Sequence, residues 1–142
     1  NHLENLITLC PACHRRAEGQ VAVQSTLSGV ARVLGHVIPL LLMCDPRDVS
    51  LHAELEPPET KHPTLYVTES IPGGVGLSDQ VYSLFDDLLA QAIELVSDCP
   101  CQNGCPSCVG AAATNLPRAK EQVLRLLREI QSARGATRDT SA

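Results

Sequence analysis

The chain has 142 residues, enough for one modest domain; 44% are hydrophobic but only 2% aromatic, so Leu, Val, Ile and Ala must fill its core. A formal net charge of −5 excludes the chain as a whole from acting as a free-standing nucleic-acid binder. Seven cysteines behind a polar opening (Asn1-His2-Leu3-Glu4) point to thiols and metal in a reducing, cytoplasmic setting rather than to a disulfide framework.

From the amino terminus, Asn5 to Leu9 is a short β-prone run. It leads into Cys10-Pro-Ala-Cys13-His14, and residues 13–18 read as the start of a short helix. The opening has no initiating Met and no leader, so a piece of a longer protein is expected. Leu27 to Met43 is apolar apart from Arg32 and His36, which predicts a mostly buried helix bent near Pro39. Its longest apolar stretch, Val37 to Cys44, is too short to span a bilayer, so no membrane contact is expected. Asp45-Pro-Arg-Asp48 follows as a turn, with both carboxylates in turn and capping roles.

Alternation of Val49, Leu51, Ala53 and Leu55 predicts a strand, Glu56 to Pro63 a proline-rich loop, and Thr64 to Thr68 a second strand. Ser70 to Gly76 is a glycine-rich strand-to-helix turn. It lacks the Lys and hydroxyl of a phosphate-binding P-loop. A long helix capped by Ser78 should follow, with Val81, Leu84, Phe85, Leu88, Leu89, Ala92, Leu95 and Val96 on one face. A last helix is expected from near Pro117 to about Ala133, with Ala119, Val123, Leu127 and Ile130 inward. The polar residues 134–142 read as a disordered tail. The expected whole is a small α+β domain with two or three long helices, a short β-sheet and a four-cysteine zinc loop.

That loop is Cys99-Pro-Cys101-Gln-Asn-Gly-Cys105-Pro-Ser-Cys108, four thiols within ten residues. Zinc prefers four soft ligands in a tetrahedron, and a shell completed by thiolates leaves no position for water, so the site is structural. An iron–sulfur cluster takes the same ligands, and spacing does not separate the two. Disulfides and dithiol redox catalysis fit less well, because the compartment is reducing and four thiols crowd together.

Charge is unevenly spread. From Asp48 to Asp98 there are ten acids and one base, Lys61. After Pro117 there are six bases against three acids, so Arg118, Lys120, Arg125 and Arg128 are the candidate DNA contacts.

Two resemblances follow from these residues. Asn5-Leu-Ile-Thr-Leu-Cys10-Pro-Ala-Cys13-His14-Arg-Arg resembles the closing half of an HNH endonuclease motif on a zinc-holding scaffold. It implies that Asn5 and His14 take motif positions and that Cys10 and Cys13 form half of a second metal site. The water-activating first His has no counterpart here, so no catalytic residue is assigned. The same Cys-x-x-Cys-His is superficially a haem c attachment pattern, without supporting context.

The second covers about Leu27 to Ile130. Leu-Leu-Leu-Met43-Cys44-Asp45-Pro-Arg-Asp48, then Tyr66-Val-Thr-Glu-Ser-Ile-Pro72-Gly-Gly-Val-Gly-Leu77, then Asp98 to Gly110, closely resemble the MrfA-type zinc-binding domain of certain DEAD/DEAH-box helicases. The resemblance implies an accessory, carboxyl-terminal domain (residues 21–133, after a partial knuckle at 1–20) of an ATP-dependent DNA repair helicase. Zinc would sit on Cys99, Cys101, Cys105 and Cys108, with DNA and the helicase domains as partners. ATP and magnesium would belong to a motor outside this chain, which contains neither Gly-x-x-x-x-Gly-Lys-Ser/Thr nor Asp-Glu-x-His. An HNH nuclease fragment and a zinc adaptor without DNA contact are the competing readings.

Overall fold

The computed structural model describes residues 6–8 and 19–139. Asn5, Cys10, Cys13 and His14 lie outside the described residues, as do the helix start expected at 13–18 and the end of the tail. In chain order the elements are β1 (Leu6–Thr8), α1 (Gly19–Leu42), β2 (Val49–Glu54), β3 (Thr64–Glu69), α2 (Leu77–Ser83), α3 (Phe85–Asp98), a 3-10 turn (Ala113–Asn115) and α4 (Ala119–Asp139). The α+β class expected from the sequence holds.

Helix α1 is the centre of the domain. Val23, Leu27, Val30, Val33, Leu34, Val37 and Ile38 are all buried and, recurring every three or four residues, share one broad face. A face this wide needs more than one packing partner. The β2–β3 hairpin packs on one side, and α3 and α4 on the others. Over Ala22–Leu42 the helix is long and apolar enough to cross a membrane by length and composition only, a test that a buried core helix also meets. In this fold those side chains contact Leu65, Leu88, Leu89 and Leu127 in a common core.

The helix begins earlier than its apolar run and continues through Pro39 to Leu42. It stops where Met43 turns left-handed (φ 55) and the Cys44 N–H reaches back to the Pro39 carbonyl at 3.3 Å. That is the hydrogen-bond pattern of a Schellman cap. Asp45 and Asp48 then hold the turn as expected. Asp45 accepts the Arg47 backbone N–H at 2.9 Å and its guanidinium at 3.0 Å, and Asp48 accepts the Asp45 N–H at 3.2 Å. The Arg47 hydrogen bonds hold the Asp45 carboxyl down to about 2.

The sheet is antiparallel, in the order β1-β3-β2. Val49 pairs with Glu69 and Glu54 with Thr64, which turns Leu65 and Val67 of the central strand into the core. The hairpin loop is tied by the Thr60 and Thr64 hydroxyls, 2.7 Å apart, and by Thr64 donating to the His62 carbonyl at 2.7 Å.

After β3 the expected single helix is divided at Leu84 (φ −98, ψ 13) into α2 and α3. Ser78 does not cap it. The left-handed Gly76 holds the cap position, and the free amides are satisfied from outside by Glu69. Its carboxylate accepts the Val75 N–H at 2.6 Å and the Ser78 N–H at 2.8 Å. These amides draw the Glu69 carboxyl below its ordinary pKa, Ser78 contributing most.

At the other end, α4 does not stop near Ala133 but runs on to Asp139. Arg134, in the stretch expected to be disordered, donates to Asp86 at 2.8 Å and lies 5.0 Å from the Phe85 ring centroid. Both charged groups are about 30% exposed, so the pair is screened less than a surface pair. A contact between residues so distant in sequence gives no local periodic signal.

Candidate metal centre

Proline shapes both halves of the cysteine loop. A residue before proline is pushed out of the α region. Cys99, before Pro100, is accordingly extended (φ −61, ψ 128), and α3 ends there. In Cys105-Pro106-Ser107-Cys108 the proline occupies the second position of a turn, where its fixed φ is favoured. The Cys108 N–H closes that turn on the Cys105 carbonyl at 3.2 Å, and the Val109 N–H joins it at 3.0 Å. Val109, fully buried, pins the loop to the core.

Between the two halves stands Gly104 (φ 105). A Cβ there would lie 2.8 Å from the Val109 side chain and 3.1 Å from the Lys120 backbone nitrogen. Only glycine combines that conformation with so close an approach of the loop to the start of α4.

The result brings the four sulfurs together, all within 4.8 Å of one another. Cys99 and Cys105 are 3.7 Å apart, Cys101 and Cys108 3.5 Å, and Cys105 and Cys108 3.6 Å. A tetrahedron with Zn–S bonds of about 2.3 Å has edges of about 3.8 Å, so these separations fit a tetrathiolate shell. They are far too long for disulfide bonds. Cys108 is buried and the other three are half-buried, as suits a closed site.

The electrostatics also ask for a cation. Hydrogen bonding from the Cys108 backbone holds the Cys105 thiol down to about 7, whereas burial pushes Cys108 up to about 12. The opposite shifts leave Cys105 the readier of the two sulfurs to carry negative charge. Four thiolates at this spacing would repel strongly. A dication reduces the charge of the full set from −4 to −2, and its binding releases the protons.

Of the other candidate residues, Arg118 is exposed and sits 3.8 Å from Glu121. Arg125 and Arg128 are exposed on α4. Lys120 is different. Its ammonium turns inward and donates to the carbonyls of Cys99 (2.6 Å), Cys101 (3.2 Å) and Ser97 (3.4 Å). Reading basic residues by segment placed Lys120 with the outward group. Its helical position three residues after Pro117 faces the loop, and that was the available signal. The loop Pro72 to Gly76 supports no phosphate role, because the Glu69 carboxylate already occupies the Val75 amide within it and the Ser78 amide after it.

Beside the cysteines lies an open, mainly apolar cleft of about 660 Å³ lined by His36, Pro39, Leu40, Pro46 and Leu95. Leu40 and Met43 are 70% and 90% exposed.

Residues 30–109, more than half of the chain and including all four clustered cysteines, match the family model of the MrfA Zn-binding domain. A curated relative, an uncharacterized ATP-dependent helicase, YprA of Bacillus subtilis (strain 168), is 36% identical over 112 residues, covering 79% of this chain and 15% of that protein. A crystal structure of the DUF1998 helicase MrfA bound to DNA superposes with a TM-score of 0.76 at 35% identity, covering 81% of this chain and 15% of the other. One bound to DNA and AMPPNP gives 0.65 at 38% identity, covering 72% and 14%. This chain therefore spans about 15% of the length of the relatives it matches.

Proposed function

The chain belongs to the MrfA Zn-binding domain family, and from that premise we propose that it is the zinc-stapled accessory domain of an ATP-dependent DNA helicase acting in cytoplasmic DNA repair. The observation that carries the reading is the closed set of four cysteine sulfurs within a family whose solved relatives are helicases. ATP and magnesium are then handled by motor domains of the DEAD/DEAH-box type outside this chain. Zinc fixes the crossing from α3 to α4, because the loop it closes joins the two. The domain contributes stability and a rigid α4, whose exposed Arg125 and Arg128, with Arg118 just ahead of the helix, face the DNA backbone. An arginine row on an otherwise acidic domain favours local phosphate contact over general attraction, since the net charge repels DNA.

The test uses the full-length helicase. Replacing Arg125 and Arg128 by Gln should weaken DNA binding at all sequences and lower the salt dependence by about one counterion per lost contact. DNA-independent ATP hydrolysis should stay unchanged. If ATP hydrolysis by the full-length protein is indifferent to DNA, the helicase reading fails. If the double variant binds DNA with the affinity and salt dependence of the wild type, the domain is a zinc adaptor without DNA contact.

A further inference from the structure

We propose that Lys120 is a positioning residue of the metal centre, which fixes the Cys99–Cys101 half of the site and raises its affinity for zinc; this rests on the structural-zinc reading above.

The argument starts from the loop's carbonyls. Helix α3 ends at Asp98, so its last carbonyls have no partner within the helix. The chain then runs extended through Cys99, and alternate carbonyls turn to the same side. Lys120 meets four of them in succession. Its ammonium takes Ser97, Cys99 and Cys101, and its backbone N–H takes the Asn103 carbonyl at 3.0 Å. One residue thus fastens the whole segment 97–103 to the first turn of α4. The shortest contact, 2.6 Å, goes to a ligand residue's own carbonyl, and the next, 3.2 Å, to another's.

Three consequences follow. The ammonium has three donors and here has three acceptors, so its orientation is set. Cys99 and Cys101 belong to the half without a Cys-Pro-Ser-Cys turn to hold it, and Lys120 supplies that missing constraint. Finally, a tetrathiolate zinc shell carries a net charge of −2, which a cation held against the ligand backbone stabilises over the protonated, metal-free thiols. Groups that orient metal ligands from outside the shell typically change affinity by about 10–100-fold on removal.

The experiment is competition for zinc between the whole chain and a chromophoric chelator, at a temperature below every variant's melting range. Lys120→Met should release zinc about 10–100-fold more readily than the wild type. Lys120→Arg, which keeps the charge, should recover part of the loss. Ile130→Ala, a cavity variant on the same helix away from the loop, serves as the control for mere destabilisation and should keep wild-type affinity. Cobalt(II) substitution gives a second readout, with a changed thiolate-to-metal absorption band expected for Lys120→Met. Should Lys120→Met not fold, Lys120→Gln carries the same comparison. Equal zinc affinity in the wild type and the Lys120 variants overturns the proposal while leaving the zinc reading intact. A wild type that takes up no zinc overturns both.

Discussion

Replacing Cys105 by Ser removes a single metal-binding atom and little else. Its backbone hydrogen bonds, with the carbonyl accepting from Cys108 and Val109 and the N–H donating to the Cys108 sulfur, survive the exchange. Serine is close in size, and Cys105 is only half-buried, so packing losses are small. The lost stability is then the linkage energy of the metal. Zinc free at a thousandfold its Kd stabilises the folded chain by about 4 kcal/mol. For a domain of this size each kcal/mol moves the melting temperature by about 4 °C, so a fall of roughly 15 °C is expected. The assay pairs thermal melting, with and without a strong chelator, with elemental analysis of anaerobically purified protein. Wild type should carry one zinc in the loop and lose stability on chelation, whereas Cys105→Ser should melt low and ignore the chelator. A second zinc per chain would place metal on Cys10 and Cys13 as well. If the variant melts with the wild type and both are indifferent to chelation, the sulfurs gather without a metal and the structural-zinc argument is wrong. Iron and a brown colour would redirect it to a cluster.

Glu69→Gln should cost about 1 kcal/mol near neutrality, solvent screening having reduced the worth of a charged cap. Because the folded pKa lies below the ordinary 4.5, that stability is complete above 4.5 and disappears as pH falls through the lowered folded value. Melting curves of the two proteins should therefore converge in acid; parallel curves throughout would show that the carboxylate is no cap. Gly29→Ala tests the approach of α4 and the zinc loop to α1. The added Cβ would stand 2.7 Å from a Val123 methyl and 3.2 Å from the Val109 carbonyl oxygen. Overpacking of about 1–3 kcal/mol against a helix-propensity gain of about 1 predicts net destabilisation by denaturant titration, and a stabilised variant would refute the packing.

The sequence by itself determined the metal centre and most of the elements. Ligand type, count and proline placement are local properties, and sulfur spacing within a ten-residue loop leaves the chain few ways to arrange itself. The strands Val49–Glu54 and Thr64–Glu69 were legible from alternation, and the buried side of α3 from its 3.6-residue period. What the tertiary structure alone decided were the contacts made across long stretches of chain. Ser78 looked like a cap, yet Glu69 reaches the helix start from the preceding strand, because a carboxylate offers two acceptors to amides that a serine would serve one at a time. The tail looked disordered by composition, yet Arg134 is held by Phe85 and Asp86 and carries α4 onward. Lys120 looked like one more candidate DNA contact, and only the closing of the loop onto α4 set three carbonyls around it. Composition reports how well a side chain likes water; which partners it meets instead depends on chain neighbours brought together by folding.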